Sequence, residues 1–324
     1  MRRIIQFIKE WTLPVSIATG SLLYLVFAFI PALDGTANFF APILDAALPL
    51  FMFLVLYVTF CKVDFRKLIP VGWHLWIALS QVLMVAVVIG AILFFHVTGM
   101  SLILLEALLT CIICPCASAA AVVTQKLGGN LEEMTTYTFL SNFLCALLIS
   151  VCFPLLDAEA DITFWSAFVA ILYKVCLVLV VPMILAYITK HWHTLCRFYQ
   201  WVISVNNFSY YLWGCSLLIV SGTTVKNIVH AEVAVSFLLL IAVLALILCL
   251  IQFAMGRYIG HFFRSTINAG QALGQKNTAF AIWIAYTYLN PLSTVGPGCY
   301  ILWQNIINSV EIWRYDHAIK RKNK

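Results

Sequence analysis

The feature that most constrains this chain is the recurrence of apolar runs about as long as a bilayer is thick. Residues 72–95 and 235–256 contain no Asp, Glu, Lys or Arg. Each exceeds the roughly 20 residues that a helix needs to cross a hydrocarbon core. Only 10% of the 324 residues are charged, whereas a soluble domain carries about a quarter. No stretch between the runs is long enough for a soluble domain, so the chain reads as an all-α polytopic membrane protein. The first run follows MRRIIQFIKE and has no small-residue cleavage site, so it reads as a retained helix rather than a signal peptide. The net charge of +6 does not point to nucleic acid, because the basic residues sit in short loops and at the termini. The cysteines lie almost entirely within apolar runs, where Cys behaves as a small buried hydrophobe. No disulfide framework is expected.

Ten spans are expected, at about 12–33, 37–60, 71–96, 101–126, 131–156, 162–189, 198–222, 228–254, 265–289 and 294–314. Charge placement orients them. With the N-terminus inside, the inner segments hold 16 of the 19 basic residues. The outer loops hold Lys226 with Asp34, Asp157, Glu159, Asp161 and Glu232. The positive-inside rule then puts both termini on the cytoplasmic side of a cell membrane. The outer loop DAEAD, 157–161, divides the chain into a first half, 1–156, and a second half, 162–324. Five spans in each half make the second half enter from the opposite face, the geometry of an inverted repeat.

The fourth span of each half is interrupted. In the first it carries Cys114-Pro115-Cys116, and in the second GQALGQKNT, 270–278. Proline lacks an amide hydrogen and clashes with the carbonyl one turn earlier. Broken apolar segments at corresponding positions of two halves are the best sequence pointer to a transporter's binding site. Half-helix N-termini aimed at one point favour an anion. The candidate substrate residues are therefore Cys116, Ala117, Ser118, Ala119, Lys276, Asn277 and Thr278, with Ser118 and Thr278 as caps or hydroxyl contacts. Thr135, Thr138 and Asn142 share one face of the fifth span and face either the crossing or a neighbouring helix. Asn305, on the tenth span, is a further candidate for the cavity.

Several stretches together resemble the bile acid:sodium symporter family. They are FMFLVLYVTFCKVDFRKL (51–68), CPCASAAAVVTQKLGGNLEEMTTYTFLS (114–141), GQALGQKNTAFAIWIAY (270–286) and VGPGCYILWQNIINS (295–309). The chain would be a divergent, bacterial-type member. The resemblance implies ten helices in two inverted five-helix repeats, with broken helices four and nine crossing. It implies sodium-coupled transport of organic anions by alternating access. It also implies sodium ligands, and here the sequence departs from the family. The family's Ser-Asn pair falls on Ala120 and Ala121, its hydroxyls on Met134 and Thr138, and its Glu on Gln271. Gln81 and Gln275 match its two glutamines. Sodium needs several oxygens, so its sites are expected to be degenerate and its use uncertain. No other cofactor or metal is implied.

Lys276 stands next to Gln275, inside a span. An intramembrane charge is a functional-site hypothesis by default. It would replace the sodium charge, bind a substrate carboxylate, carry a proton through the transport cycle, or pair with a buried acid: Glu106, Asp45, Glu132, Glu133 or Glu311. Lys174, in the sixth span, is a second such charge. The leading expectation is a secondary or facilitative transporter of a small organic anion in the lipid bilayer, with substrate, coupling ion and oligomeric state open. The alternatives are a permease for a metalloid such as arsenite, using the Cys-Pro-Cys thiols as soft ligands, and a membrane sensor. An enzyme is not expected, since neither Gly-x-Ser-x-Gly nor His-Glu-x-x-His occurs and no histidine lies near the depth of the breaks.

Overall fold

The computed structural model describes residues 11–156, 164–205, 207–230 and 233–322. Among these the chain is helical. In order the helices are α1 (Thr12–Phe29), α2 (Asp34–Lys62), α3 (Gly72–Phe94), α4 (Gly99–Ile113) and α5 (Ala120–Lys126). Then come α6 (Leu131–Leu156), α7 (Phe164–Val175), α8 (Val181–His191), α9 (Cys196–Ser204) and α10 (Phe208–Val229). The last four are α11 (Val235–Phe262), α12 (Thr266–Gly274), α13 (Thr278–Tyr288) and α14 (Val295–Lys322). Lipid offers no hydrogen bonds, so an apolar run must satisfy its backbone internally, and helix is the solution. Six helical segments are long and apolar enough to cross a membrane. The protein is therefore a multi-pass, all-α membrane protein.

Breaks in the helices have local causes. A π turn at Cys176–Val180 joins α7 to α8 and immediately precedes Pro182. Such a turn accommodates the carbonyl that the proline ring would otherwise strike. The expected fourth span is two helices, α4 and α5, on either side of Pro115. The expected ninth span is also two helices, α12 and α13, but the interruption is shorter than the polar stretch 270–278 suggests. The helix continues through Gly274, and only Gln275, Lys276 and Asn277 leave it. The glycines here serve packing: a Cβ on Gly270 would stand 2.7 Å from Arg257 Cγ on α11.

The chain divides into two compact units, each assembled from both halves of the sequence. One comprises Met1–Lys62, Pro182–Ala231 and Asn305–Lys324. Within it α1, α2 and α10 pack at small residues, so that a Cβ on Gly222 would lie 3.1 Å from the Gly20 carbonyl oxygen. Close backbone approach through glycine is the usual basis of helix packing in lipid. The Tyr57 hydroxyl donates to Thr189 Oγ1 at 2.8 Å, linking α2 to α8.

The other unit comprises Val63–Val181 and Glu232–Gln304 and contains both breaks. Its core gathers Ile112, Ile113 and Cys114 with Cys145, Ile149 and Phe153 of α6 and Ala281 and Ile284 of α13. The short helix α5 ends in a Schellman motif. Gly129 N–H bonds the Thr124 carbonyl at 2.8 Å and Gly128 N–H bonds that of Gln125 at 3.1 Å. Gly128 takes the left-handed conformation this requires, with φ of 78°. The next residue is held by Asn268 at the start of α12. Asn268 Oδ1 accepts from Asn130 N–H at 2.9 Å and its Nδ2 donates to the Asn130 carbonyl at 2.7 Å. The loop after α5 is thereby fixed to the helix that leads into the second break.

Candidate functional site

Pro115 forces the first break, and the extended conformation runs from Cys114, with ψ of 151°. In the second break Gln275 is likewise extended, with φ −97° and ψ 101°. The two breaks pair side by side as an antiparallel bridge between Cys116 and Lys276. Ala117 N–H donates to the Gln275 carbonyl at 2.9 Å, and Asn277 N–H donates to that of Pro115 at 2.9 Å. Each break thus satisfies part of the other's backbone, as unwound peptide at membrane depth must.

The remaining backbone groups are met by side chains. Cys116 N–H donates to Ser141 Oγ on α6 at 3.1 Å. Gln304 on α14 clamps Lys276 at two points: its Oε1 accepts the Lys276 N–H at 2.8 Å and its Nε2 donates to the Lys276 carbonyl at 3.1 Å. The Tyr300 hydroxyl donates to the Gly274 carbonyl at 2.8 Å, closing the end of α12. Asn277 caps α13, its side chain accepting from Phe280 N–H at 3.2 Å.

The end of α4 is the most densely served point. A helix leaves its last carbonyls without intrahelical partners. Here Gln252 Nε2 donates to Cys111 at 3.4 Å. Gln81 Nε2 lies 3.0 Å from the Ile112 carbonyl, 3.1 Å from that of Ile113 and 3.2 Å from that of Cys114, sharing its two hydrogens among them. Lys276 Nζ donates to the carbonyls of Ile112 at 3.0 Å and Cys114 at 3.3 Å. The lysine is buried, 1% exposed. It lies where the helix dipole favours a cation.

Several expectations change accordingly. Lys276 bonds carbonyl oxygens and, among the described residues, no acid. Glu106 accepts from Asn290 N–H, Glu132 from Asp64 N–H, and Glu133 from Trp73 Nε1. The side chains of Asp45 and Lys174 lie outside the described residues, as do Asp157, Glu159 and Asp161. The caps are also reassigned. Ala119 occupies the N-cap of α5 with no side-chain bond, and Asn277, not Thr278, caps α13. On α6 Ser141 accepts a backbone N–H of the break, and Thr138 lies beside the Cys116 thiol. Thr138 turns its hydroxyl back to the Met134 carbonyl at 2.9 Å, and its own carbonyl accepts from Asn142 Nδ2 at 2.7 Å. Asn305 opens the other compact unit, where its carbonyl accepts from Ser309 Oγ at 2.6 Å. The thiols of Cys114 and Cys116 lie near the carbonyls of Cys111 and Ala117, at 3.8 and 3.7 Å.

Gln304, Tyr300, Ser141 and Gln252 are the functional-site residues that sequence reasoning missed. The accessible edge of the crossing is formed by Ala119, Asn277 and Ala279, which are half-buried beside buried Ser118 and Thr278. No hydrogen bond engages the Ser118 hydroxyl among the described residues.

A family model described as the sodium bile acid symporter family matches residues 49–231, more than half of the chain. The chain belongs to this family. Comparison with curated proteins finds no match. Family membership makes the protein a membrane transporter rather than an enzyme, of a kind named for sodium-coupled transport of organic anions. The matched stretch contains the first break and ends before the second.

The family name raises sodium, and the residues present do not fit it. A hard cation is held by a cage of oxygen ligands. Ala120, Ala121 and Met134 are buried and bring no side-chain oxygen. The Thr138 hydroxyl oxygen, whose hydrogen goes to the Met134 carbonyl, and the buried Gln275 Oε1, unbonded among the described residues, remain as side-chain oxygens, too few by themselves for such a cage. At the end of α4, where carbonyl oxygens converge, the donor groups of Gln81 and Lys276 already face them.

Proposed function

We propose that the protein is a secondary or facilitative transporter of a small organic anion, working by alternating access, with degenerate sodium sites and an intramembrane lysine at its helix crossover. The carrying observation is the pairing of two broken helices through the Cys116–Lys276 bridge. Unwound backbone held at one point inside an apolar unit is the arrangement that transporter folds use at their substrate sites. The accessible edge at Ala119 and Asn277, beside the buried Ser118, supplies small polar and backbone groups suited to an anion. Thr278 and Asn305 are the further substrate contacts in this reading. Gln81, Gln275, Gln271, Thr138, Met134, Ala120 and Ala121 are the remnants of the family's ion positions.

In this reading the ten spans form two inverted repeats, 1–156 and 162–324, with both termini in the cytoplasm. The test is the thermal stability of the purified full-length protein against a panel of small carboxylates, in sodium and in choline buffer. A ligand that binds only the folded state raises the melting temperature by mass action. Stabilisation by at least one carboxylate is expected. A flat response to the whole panel, with stabilisation by arsenite instead, would replace the organic anion by a metalloid.

A further inference from the structure

We infer that the Lys276 ammonium is a tethered replacement for an exchangeable cation, so that this transporter neither binds sodium nor draws on a sodium gradient. The inference deepens the transporter reading by naming the coupling of the same site.

Three observations converge on it. First, the end of α4 is a cluster of acceptors. The carbonyls of Ile112, Ile113 and Cys114 point to one place, and Pro115 removes the amide hydrogen that would otherwise continue the helix. Negative potential therefore collects there, at the C-terminal end of the helix dipole. Inside an apolar unit it must be met by a cation or by donors. Second, Lys276 Nζ stands 3.0 and 3.3 Å from two of these oxygens and pairs with no acid among the described residues. A buried lysine serving only as a strut between helices would be expected to have a carboxylate partner. Here the partners are the polar backbone groups that a bound cation would also use.

Third, the backbone of Lys276 is fixed independently of its side chain. Gln304 holds its N–H and carbonyl, and the neighbouring amides bridge to Pro115 and Gln275. The ammonium is thus held at the end of a positioned stem. It does not need to be recruited from solution in each cycle. Of the positions to which the family resemblance assigns sodium ligands, Ala120, Ala121 and Met134 are buried and bring no side-chain oxygen.

Two consequences follow. Lys276 is a positioning residue for the crossing and is not a direct ligand of the substrate carboxylate, because its Nζ is directed to the end of α4. A sodium gradient then contributes nothing to the energy for transport.

The test uses the purified full-length protein and needs no substrate. Binding of radioactive sodium is measured on the wild type and on Lys276→Ala, with choline as the control salt. Melting temperatures are then recorded with propylammonium chloride, which supplies the carbons and ammonium that truncation removes. The expected result is sodium retention at background for the wild type. Lys276→Ala should lose thermal stability and regain part of it with propylammonium, but not with its neutral analogue propanol. Specific sodium binding by the wild type would overturn the inference. So would a folded Lys276→Ala protein that is indifferent to propylammonium. The wild-type measurement decides even where the truncated protein does not fold. Failure of every carboxylate to stabilise the protein would sink the transporter reading and leave these ion measurements standing, so the two failures are distinguishable.

Discussion

The two helix breaks are alike in backbone and opposite in chemistry. The first, Cys114 to Ala119, has small or weakly polar side chains and offers mainly carbonyl oxygens. It is served from elsewhere, by Gln81 of α3, Ser141 of α6 and Lys276. The second, Gln275 to Asn277, carries an amide, an amine and another amide in succession. It is held by residues of a single helix, Tyr300 and Gln304 of α14. An acceptor-rich break therefore lies against one whose central side chain, Lys276, donates to it. The difference teaches that the pair is complementary: the second break supplies the cation that the first lacks.

The strongest way to break this comparison is Lys276→Met, which keeps the length and removes the charge. Two hydrogen bonds from a charged donor are lost, each worth about 1.5–3 kcal/mol. Gln81 would remain, with two hydrogens for three carbonyls. A fall in melting temperature larger than for any other single change at the crossing is expected, together with loss of carboxylate-dependent stabilisation. An unaltered melting temperature would mean that the α4 carbonyls need no cation.

Next is Gln304, whose amide grips both polar groups of the Lys276 backbone. Gln304→Leu removes both bonds and should cost about 1–2 kcal/mol, given the modest value of interhelical bonds in membranes. Gln304→Glu, held unionised by its burial, keeps an acceptor for the Lys276 N–H and replaces the amide donor by a carboxyl, so it should fall between wild type and Gln304→Leu. Equal effects of the two variants would show that the acceptor half of the clamp contributes nothing. Melting temperatures of the three proteins side by side make the measurement.

How far this was legible in the sequence differs between the breaks for the same reason. Pro115 is a local signal, since its ring dictates the break whatever surrounds it, and the all-helical membrane fold follows from run lengths alone. Lys276 is visible as a charge in an apolar run. Its partners are not, because they are backbone carbonyls, which every residue possesses; searching the acids for a counter-charge led to Glu106, Glu132 and Glu133, each engaged elsewhere. The limits of the second break were blurred because Gly270 and Gly274 resemble helix breakers, whereas they are helical and admit Arg257 and Phe253 of α11. On α6, a helical face read from Thr135, Thr138 and Asn142 passes beside Ser141. Ser141 accepts the Cys116 N–H, whereas the Thr138 hydroxyl and the Asn142 amide donate to carbonyls of their own helix, and which of these neighbours faces the break is set by tertiary packing that the spacing alone does not reveal.

Ser141 sharpens the acceptor–donor contrast on a smaller scale. It provides the oxygen that accepts Cys116 N–H, and its hydrogen is directed at the Thr138 carbonyl at 3.2 Å. Ser141→Ala leaves a buried amide without an acceptor and should cost about 1 kcal/mol. Ser141→Thr keeps the hydroxyl and should recover most of that loss. If Thr and Ala lower the melting temperature equally, crowding rather than the hydrogen bond explains the site.

The smallest effect belongs to the sulfur at the centre of the bridge. Cys116 occupies the centre of the bridge, 1% exposed, yet the bridge uses its backbone rather than its sulfur. The thiol is 3.7 Å from the carbonyl of Ala117, its own neighbour, a weak contact at best. Cys116→Ala therefore removes one buried sulfur and should cost about 1 kcal/mol or less, with carboxylate-dependent stabilisation retained. The same substitution tests the whole contrast from the other side. If Cys116→Ala abolished ligand-dependent stabilisation while Lys276→Met left it intact, the first break would be contributing its side chains and the second only its backbone. The soft-ligand reading of Cys-Pro-Cys would then displace the one built on carbonyls and an ammonium.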